Sequence, residues 1–313
     1  MEQQDLLDTS TPKTLGLAYG LGVDSTAVIV GFVARGIRPD FILFADVGAE
    51  KQSTYDYLPI IQDYLLKHDF PPVTVVKYKP VYSPYTTIEG NMVMNGTLPG
   101  ATFNKGSCTD KWKIKPQMKW EKEHVRGRIT KAIGFEAGEE YRQLRASDKV
   151  HTGHSDRYDY LYPLIEWGWT RKDCEVQIAT AGLPVPPKSS CIFCPNLKPE
   201  ELTGLSKTEL GRIVRVEVMA EPYNRKVEGL WRRSRKSDGR PGSITEYLVA
   251  NQIEFTHPDD LEWMPLNENC MKGKRGFTFD GPHRDLRLAE LIGGCECAKV
   301  ENHFHKQLVE QLF

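Results

Sequence analysis

The sequence predicts an α/β protein: a parallel sheet with helices on both faces, Rossmann-like, followed by a smaller, mostly helical C-terminal part. Three observations predict it. Short, nearly continuous apolar runs alternate with helix-period segments through the first third of the chain. Strands separated in this way by helices pair in parallel. The first apolar run also ends in a glycine turn that opens straight into a helix, the point at which such sheets hold ligands.

Taken in order, TLGLAY (14–19) is a first strand, and Ser25 to Arg35 is a helix stopped at Gly36. DFILFADV (40–47) is a second buried strand and Tyr55 to Leu66 an amphipathic helix. PVTVVKY (72–78) is a third strand, rich in β-branched residues. From Lys79 to Ser107 the glycines and prolines predict a long irregular stretch, a functional or unstructured loop. A helix over 111–124 then leads to a strand in RITKAIGF (128–135), and further helices fall around 198–220. The predicted division is a nucleotide-binding domain, 1–195, and a helical or irregular region, 196–313, carrying a basic segment and a cysteine tail.

The 313 residues suffice for one large or two ordinary domains, and 41 basic against 42 acidic residues exclude a global polyelectrolyte. No apolar run reaches membrane-spanning length, and MEQQDLLDTSTPK has no signal-peptide core, so a cytoplasmic, membrane-free location is expected. Seven cysteines in that compartment point to metal, redox or catalytic use rather than disulfides. Cys174, inside a helical pattern, reads instead as a small buried hydrophobe.

The turn Gly20-Leu21-Gly22-Val23-Asp24-Ser25-Thr26 has three readings. A dinucleotide fingerprint wants glycine or alanine where Ser25 stands, with Asp46 as the acid ending the second strand. A Walker loop is excluded because no Gly-Lys-Ser/Thr is present. A pyrophosphate loop needs glycines for close backbone approach, free N–H groups at the helix start, hydroxyls such as Ser25 and Thr26, and an acid, Asp24, to cap the helix or hold a metal-bound phosphate.

Cys191-Ile-Phe-Cys194-Pro aims two sulfurs at one point, which suits zinc, an iron–sulfur cluster or a redox dithiol; its late-loop position favours metal. Arg142 and Arg145 can bind phosphate or sulfate, or form a surface ion-pair face with Glu139 and Glu140. Asp46 and Glu50 can orient a ribose or Mg²⁺. Lys111, Lys113 and Lys115 alternate too closely for all to reach one anion. LWRRSRKSDGRPG (230–242) joins arginines to Trp231, a nucleic-acid footprint or a solvated loop.

Five segments, taken in order, resemble the phosphoadenylyl-sulfate (PAPS) reductase-like family of the adenine-nucleotide α-hydrolase (PP-loop) superfamily, near its iron–sulfur sulfurtransferase branch. They are Gly20–Ser25, FADVGAE (44–50), SCTDKWKIKP (107–116), IGFEAGEEYRQLR (133–145) and YPLIEWGWTRKDCEVQIATAGLPVPPKSSCIFCP (162–195). Together they span roughly residues 15–200. The resemblance implies an adenine nucleotide, ATP or PAPS, held by Gly20, Gly22, Val23, Asp24, Ser25, Thr26, Asp46, Glu50, Lys113, Gly134, Arg142 and Arg145. It implies a 4Fe–4S cluster, with zinc as the alternative, on Cys108, Cys191, Cys194 and a fourth ligand, first Cys270, then Cys295 or Cys297. It also implies catalytic roles for Asp24, Ser25 and Cys297, the last as a tail nucleophile in GGCECAK. Gly20 departs from the family's serine, so one hydroxyl is missing.

Three functions are then expected to compete: sulfur reduction from PAPS, ATP-dependent sulfur transfer to a nucleic acid, and a nucleotide- or DNA-associated binding module without turnover. Expected partners are the adenine nucleotide, nucleic acid at 230–242, and a thiol or sulfur-donor protein.

Overall fold

The computed structural model describes residues 14–80, 83, 85–99, 107–143, 157–223 and 227–262. It holds a five-stranded, all-parallel sheet in the order β3-β2-β1-β4-β5. The strands are β1 (Thr14–Tyr19), β2 (Phe41–Asp46), β3 (Val73–Lys77), β4 (Ile129–Ile133) and β5 (Tyr158–Leu161). Register is fixed by Gly16 opposite Phe41 in β2 and opposite Lys131 in β4. All six residues of β2 are buried, which is why FILFA reads as an unbroken apolar run, closed by the buried Asp46, rather than an alternating one.

Alternate residues of β2 divide between two cores. Ile42 and Phe44 pack with helices α1 (Val23–Ala34), α2 (Gln52–Lys67) and a later helix, Arg171–Thr180. Phe41, Leu43 and Ala45 pack with Met118 and Trp120 of α4 (Lys115–His124). Helices therefore cover both faces, as expected. Cys174 lies fully buried in the first of these cores, and burial pushes its thiol up to about 12.

One expectation is corrected. The stretch 79–107 is not irregular throughout: it contains α3 (Ile88–Asn95), capped by the Thr87 hydroxyl, which accepts from Gly90 N–H at 3.1 Å, and ended by Gly96 at φ +57°. The segment before α4 also departs from a plain α-helix, since Asp110–Ile114 forms a π-helix. The later helices are α5 (Pro163–Glu166), α6 (Arg171–Thr180), α7 (Pro199–Leu202), α8 (Lys207–Ala220) and α9 (Ile244–Ala250).

The chain forms two compact units. Among the described residues, the first comprises 14–46, Gln52–Lys77 and 114–189; the second comprises Val47–Lys51, 78–113 and 190–262. The CxxC loop thus falls in the second unit, because Ser190–Ile192 pairs with the 49–51 segment: Ile192 N–H donates to Ala49 C=O at 2.9 Å. That unit has its own core, in which α3 and α8 pack around Trp112, Phe193, Ile213 and Trp231. Among the described residues, no helix is long and apolar enough to cross a membrane.

Candidate functional site

The glycine turn lies after β1, in the middle of the sheet, where the strand order runs one way to β2 and the other way to β4. This is the topological switch point at which open parallel sheets place ligands. Leu21 adopts φ +56° between the two glycines, a conformation non-glycine residues rarely hold, so the turn is tightly constrained. Ser25 fastens it: its hydroxyl accepts from Gly20 N–H at 3.1 Å and donates to Gly22 C=O at 3.2 Å. Gly22 is the N-cap of α1 and supplies no side-chain cap, so Asp24 does not cap the helix. The amides of Val23, Asp24 and Ser25 are first-turn groups that no helical carbonyl can satisfy, the property that makes a helix start receptive to anions.

Two glycines permit this packing. A Cβ on Gly134, just beyond β4, would lie 3.0 Å from the Asp24 carbonyl carbon and the Ser25 nitrogen. A Cβ on Gly22 would lie 2.4 Å from Ser189 Oγ. Ser189, in the Lys-Ser-x-Cys segment, is thus a neighbour of the turn that the sequence alone does not single out. Thr26 is fully buried and its hydroxyl pairs with Tyr19 at 3.1 Å, so it faces the core rather than a ligand.

Asp24 faces a cation that sequence reasoning also missed. Arg171 Nη1 lies 2.9 Å from its carboxylate, and Glu136 stands 3.8 Å from the same guanidinium. Burial raises the Asp24 carboxyl to about 6; Arg171 opposes the shift, while Glu136 and Glu139 add to it. The start of α6 signalled this residue weakly, through the Thr170–Asp173 capping box that places Arg171 in the first turn.

Other expected nucleotide contacts have partners within the first unit. Asp46 accepts from the Tyr55 hydroxyl at 2.6 Å and pairs with Lys77 at 2.9 Å. Arg142 pairs with Glu139 at 2.7 Å and covers the Phe135 ring, the ion-pair alternative weighed from sequence. Arg145 lies outside the described residues.

The second unit gathers Glu50, Lys113, Cys108 and Cys191. Glu50 is buried and accepts from Lys113 Nζ at 2.8 Å; it also bridges Cys191 in the short antiparallel pairing. Lys113 is held above its ordinary range: burial opposes this, but Glu50 and the nearby thiols of Cys191 and Cys108 outweigh it. Burial and the Glu50 charge push the Cys191 thiol up. Cys194 closes the turn, its N–H donating to Cys191 C=O at 3.0 Å. Among the described residues no three His, Cys, Asp or Glu side chains converge as a metal-holding set. Cys270, Cys295 and Cys297 lie outside the described residues.

Lys111 sits among the rings of Tyr78, Tyr85 and Trp112, all about 5 Å away, and donates to the Tyr85 hydroxyl and to Asn91. In the basic segment Trp231 is a core residue, 4 % exposed, whose indole N–H donates to Leu197 C=O at 2.6 Å. It offers no face for stacking a base. Arg235 is paired with Asp238, and Arg240 covers Trp231.

Fold and turn together define a Rossmann-like α/β protein whose central strand ends in a constrained glycine turn at the switch point. No protein-family model matches the chain, and no curated protein matches it.

Proposed function

We propose that this chain is an adenine-nucleotide-binding enzyme of sulfur chemistry, of the PAPS reductase-like, PP-loop kind. The observation that carries the reading is the Gly20–Ser25 turn at the switch point, stiffened by Ser25 and pressed from β4 by Gly134. In this reading the first-turn amides of α1 hold the phosphates of ATP or of an adenylyl-sulfate nucleotide. Asp24 and Arg171 adjust the charge beside them: Arg171 is free to turn to a phosphate when the carboxylate takes Mg²⁺ or a proton.

The cysteine pair Cys191/Cys194, with Cys108 beside Lys113, supports thiol or metal–thiolate chemistry in the second unit. The described cysteines do not by themselves make a complete metal set, so a 4Fe–4S cluster or zinc, with Cys270 as the further ligand, rests on the family resemblance. Cys297 stays the proposed sulfur nucleophile on the strength of its sequence alone. A nucleic-acid acceptor has less support than the sequence offered, since Trp231 is buried and the segment retains only its exposed basic side chains.

The test is full-length protein purified without oxygen, with metal content measured, then incubated with ATP or with PAPS. Pyrophosphate from ATP or sulfite from PAPS is the expected product. Nucleotide binding without either product makes the chain a binding module. Absence of nucleotide binding by calorimetry overturns the reading.

A further inference from the structure

The basic segment between α8 and α9 plays no part in the nucleotide-loop reading, and its structure sorts its cations into two kinds. Residues 235–240 form a tight turn closed by an antiparallel bridge, in which Arg235 N–H donates to Arg240 C=O at 2.7 Å. Arg235 pairs with Asp238 inside the turn, and the Arg240 guanidinium lies 4.5 Å over the Trp231 ring. Glu228 ties down the base: its carboxylate accepts from Ser234 N–H at 2.8 Å, the Ser234 hydroxyl at 3.2 Å and Gly242 N–H at 3.1 Å. Those two arginines and both carboxylates build the hairpin. Arg232, Arg233 and Lys236 remain: all three are exposed, and none has an ion-pair partner among the described residues. Of the carboxylates outside the segment, Glu200 acts on Arg235 and pairs with Lys198 at 3.8 Å, and Glu246 acts on Glu228. Arg232 also holds φ +73°, rare for a residue other than glycine; Glu228 N–H, donating to its C=O at 2.9 Å, helps keep it there.

We propose that Arg232, Arg233 and Lys236 dock this chain on the phosphate backbone of a nucleic-acid duplex without reading its sequence. Residues 232 to 236 are so close in the chain that their Cα atoms lie within about 14 Å of one another. A duplex carries one charge per ~1.7 Å of axis, so that length offers about eight phosphates, enough for three cations whichever way each side chain turns. Arginine forks match phosphate oxygens bidentately. Trp231, the aromatic residue of the segment, is 4 % exposed, so bases cannot stack on it and the contact is electrostatic. The run 232–240 has no apolar side chain to enter a lipid surface. A duplex also places more charge within that reach than the scattered carboxylates of a folded protein surface do.

The inference does not depend on nucleotide binding, and its test is separate. The full chain is titrated against fluorescent DNA duplexes of about 20 base pairs and two unrelated sequences, by anisotropy, between about 25 and about 200 mM KCl. Equal affinity for both sequences is expected, with a slope of log K against log salt of about −2.7, roughly 0.9 per phosphate contact. Replacing the three cations together (Arg232→Asn, Arg233→Gln, Lys236→Gln) is expected to weaken low-salt binding about ten-fold or more and to flatten the slope by about 2. Lys236→Gln alone, inside the turn, flattens it by about 1 and keeps the test decisive if the triple variant loses its fold. The control of equal charge removes three exposed lysines of α2 and α4 (Lys67→Gln, Lys119→Gln, Lys122→Gln) and is expected to bind as the unaltered chain does. Four results overturn the proposal: no duplex binding at low salt, a slope flatter than about −1, equal losses in the two triple variants, or binding as tight to anionic phosphatidylglycerol vesicles or poly-L-glutamate as to the duplex.

Discussion

Replacing Asp24 by Asn is expected to stabilise the nucleotide-free protein at pH 8 while weakening nucleotide binding. The carboxyl's pKa rises from an ordinary 3.8 in the unfolded chain to about 6 in the folded one, with burial the largest cause. Between those values the folded state holds a proton that the unfolded state has released, so stability falls as pH rises through the window. A difference of about 2 pKa units corresponds to about 3 kcal/mol at full development. Some of this is returned by Arg171, which is half exposed and keeps Glu136 as a partner when Asp24 is neutralised. The expected gain is therefore about 1–3 kcal/mol above pH 7, shrinking toward zero below pH 4. Urea denaturation of both proteins at matched pH values isolates the effect, because every other carboxylate cancels in the difference. A stability difference that stays flat from pH 4 to pH 8, or an Asn variant weaker at pH 8 by more than about 1 kcal/mol, refutes the assignment of a destabilising buried carboxylate.

Glu217 is buried and accepts five hydrogen bonds, from the N–H groups of Leu230, Ile244 and Thr245 and the hydroxyls of Ser243 and Thr245. Glu217→Ala is expected to cost about 3–5 kcal/mol, measured by thermal or urea unfolding, with Glu217→Gln costing less. Gly134→Ala places a methyl 3.0 Å from the backbone of Asp24 and Ser25, and is expected to cost about 1–3 kcal/mol and to reduce nucleotide affinity in a calorimetric titration. Lys113→Met takes the ammonium from the buried Glu50, and a loss of about 1–3 kcal/mol is expected in urea unfolding. Truncation after residue 195 removes Arg212 and Arg215 from Glu89 and α8 from α3, so the fragment is expected to give broad, non-cooperative unfolding by circular dichroism.

Four of the five strands were legible because their signal is local; β5, four residues long, was not read from the sequence. FILFAD is buried on both sides and is apolar up to its terminal Asp46, and TLGLAY and VTVVK are apolar-rich runs that are buried in part. Helix α3 was hidden by its composition: Gly90, Asn91 and Asn95 are poor helix formers, and the surrounding glycines dominate the reading of 79–107. Its caps, Thr87 and Gly96, were nonetheless in plain view at the right separation. The make-up of the two compact units rests on long-range pairing rather than on local signal. It depends on pairings such as Glu89 with Arg215, 126 residues apart, and no window along the chain contains both partners.

At the candidate site, sequence located the groups but not the use each makes of its neighbours. Asp46 is the acid at the strand end that the motif requires, yet the Tyr55 hydroxyl and the Lys77 ammonium occupy it. Thr26 belongs to the motif by spacing, but a helix turn carries its hydroxyl to Tyr19 and away from the phosphate side. Trp231 stands among arginines in the sequence and inside a core in the fold, because the indole N–H finds the Leu197 carbonyl. Conversely, Arg171, Glu136 and Ser189 gain significance only from proximity to the turn, which comes from three segments far apart in the chain. A motif records which backbone approaches a ligand. The charge that backbone works under also depends on residues the motif does not name: at this turn burial raises the Asp24 carboxyl, Arg171 opposes the shift and Glu136 adds to it.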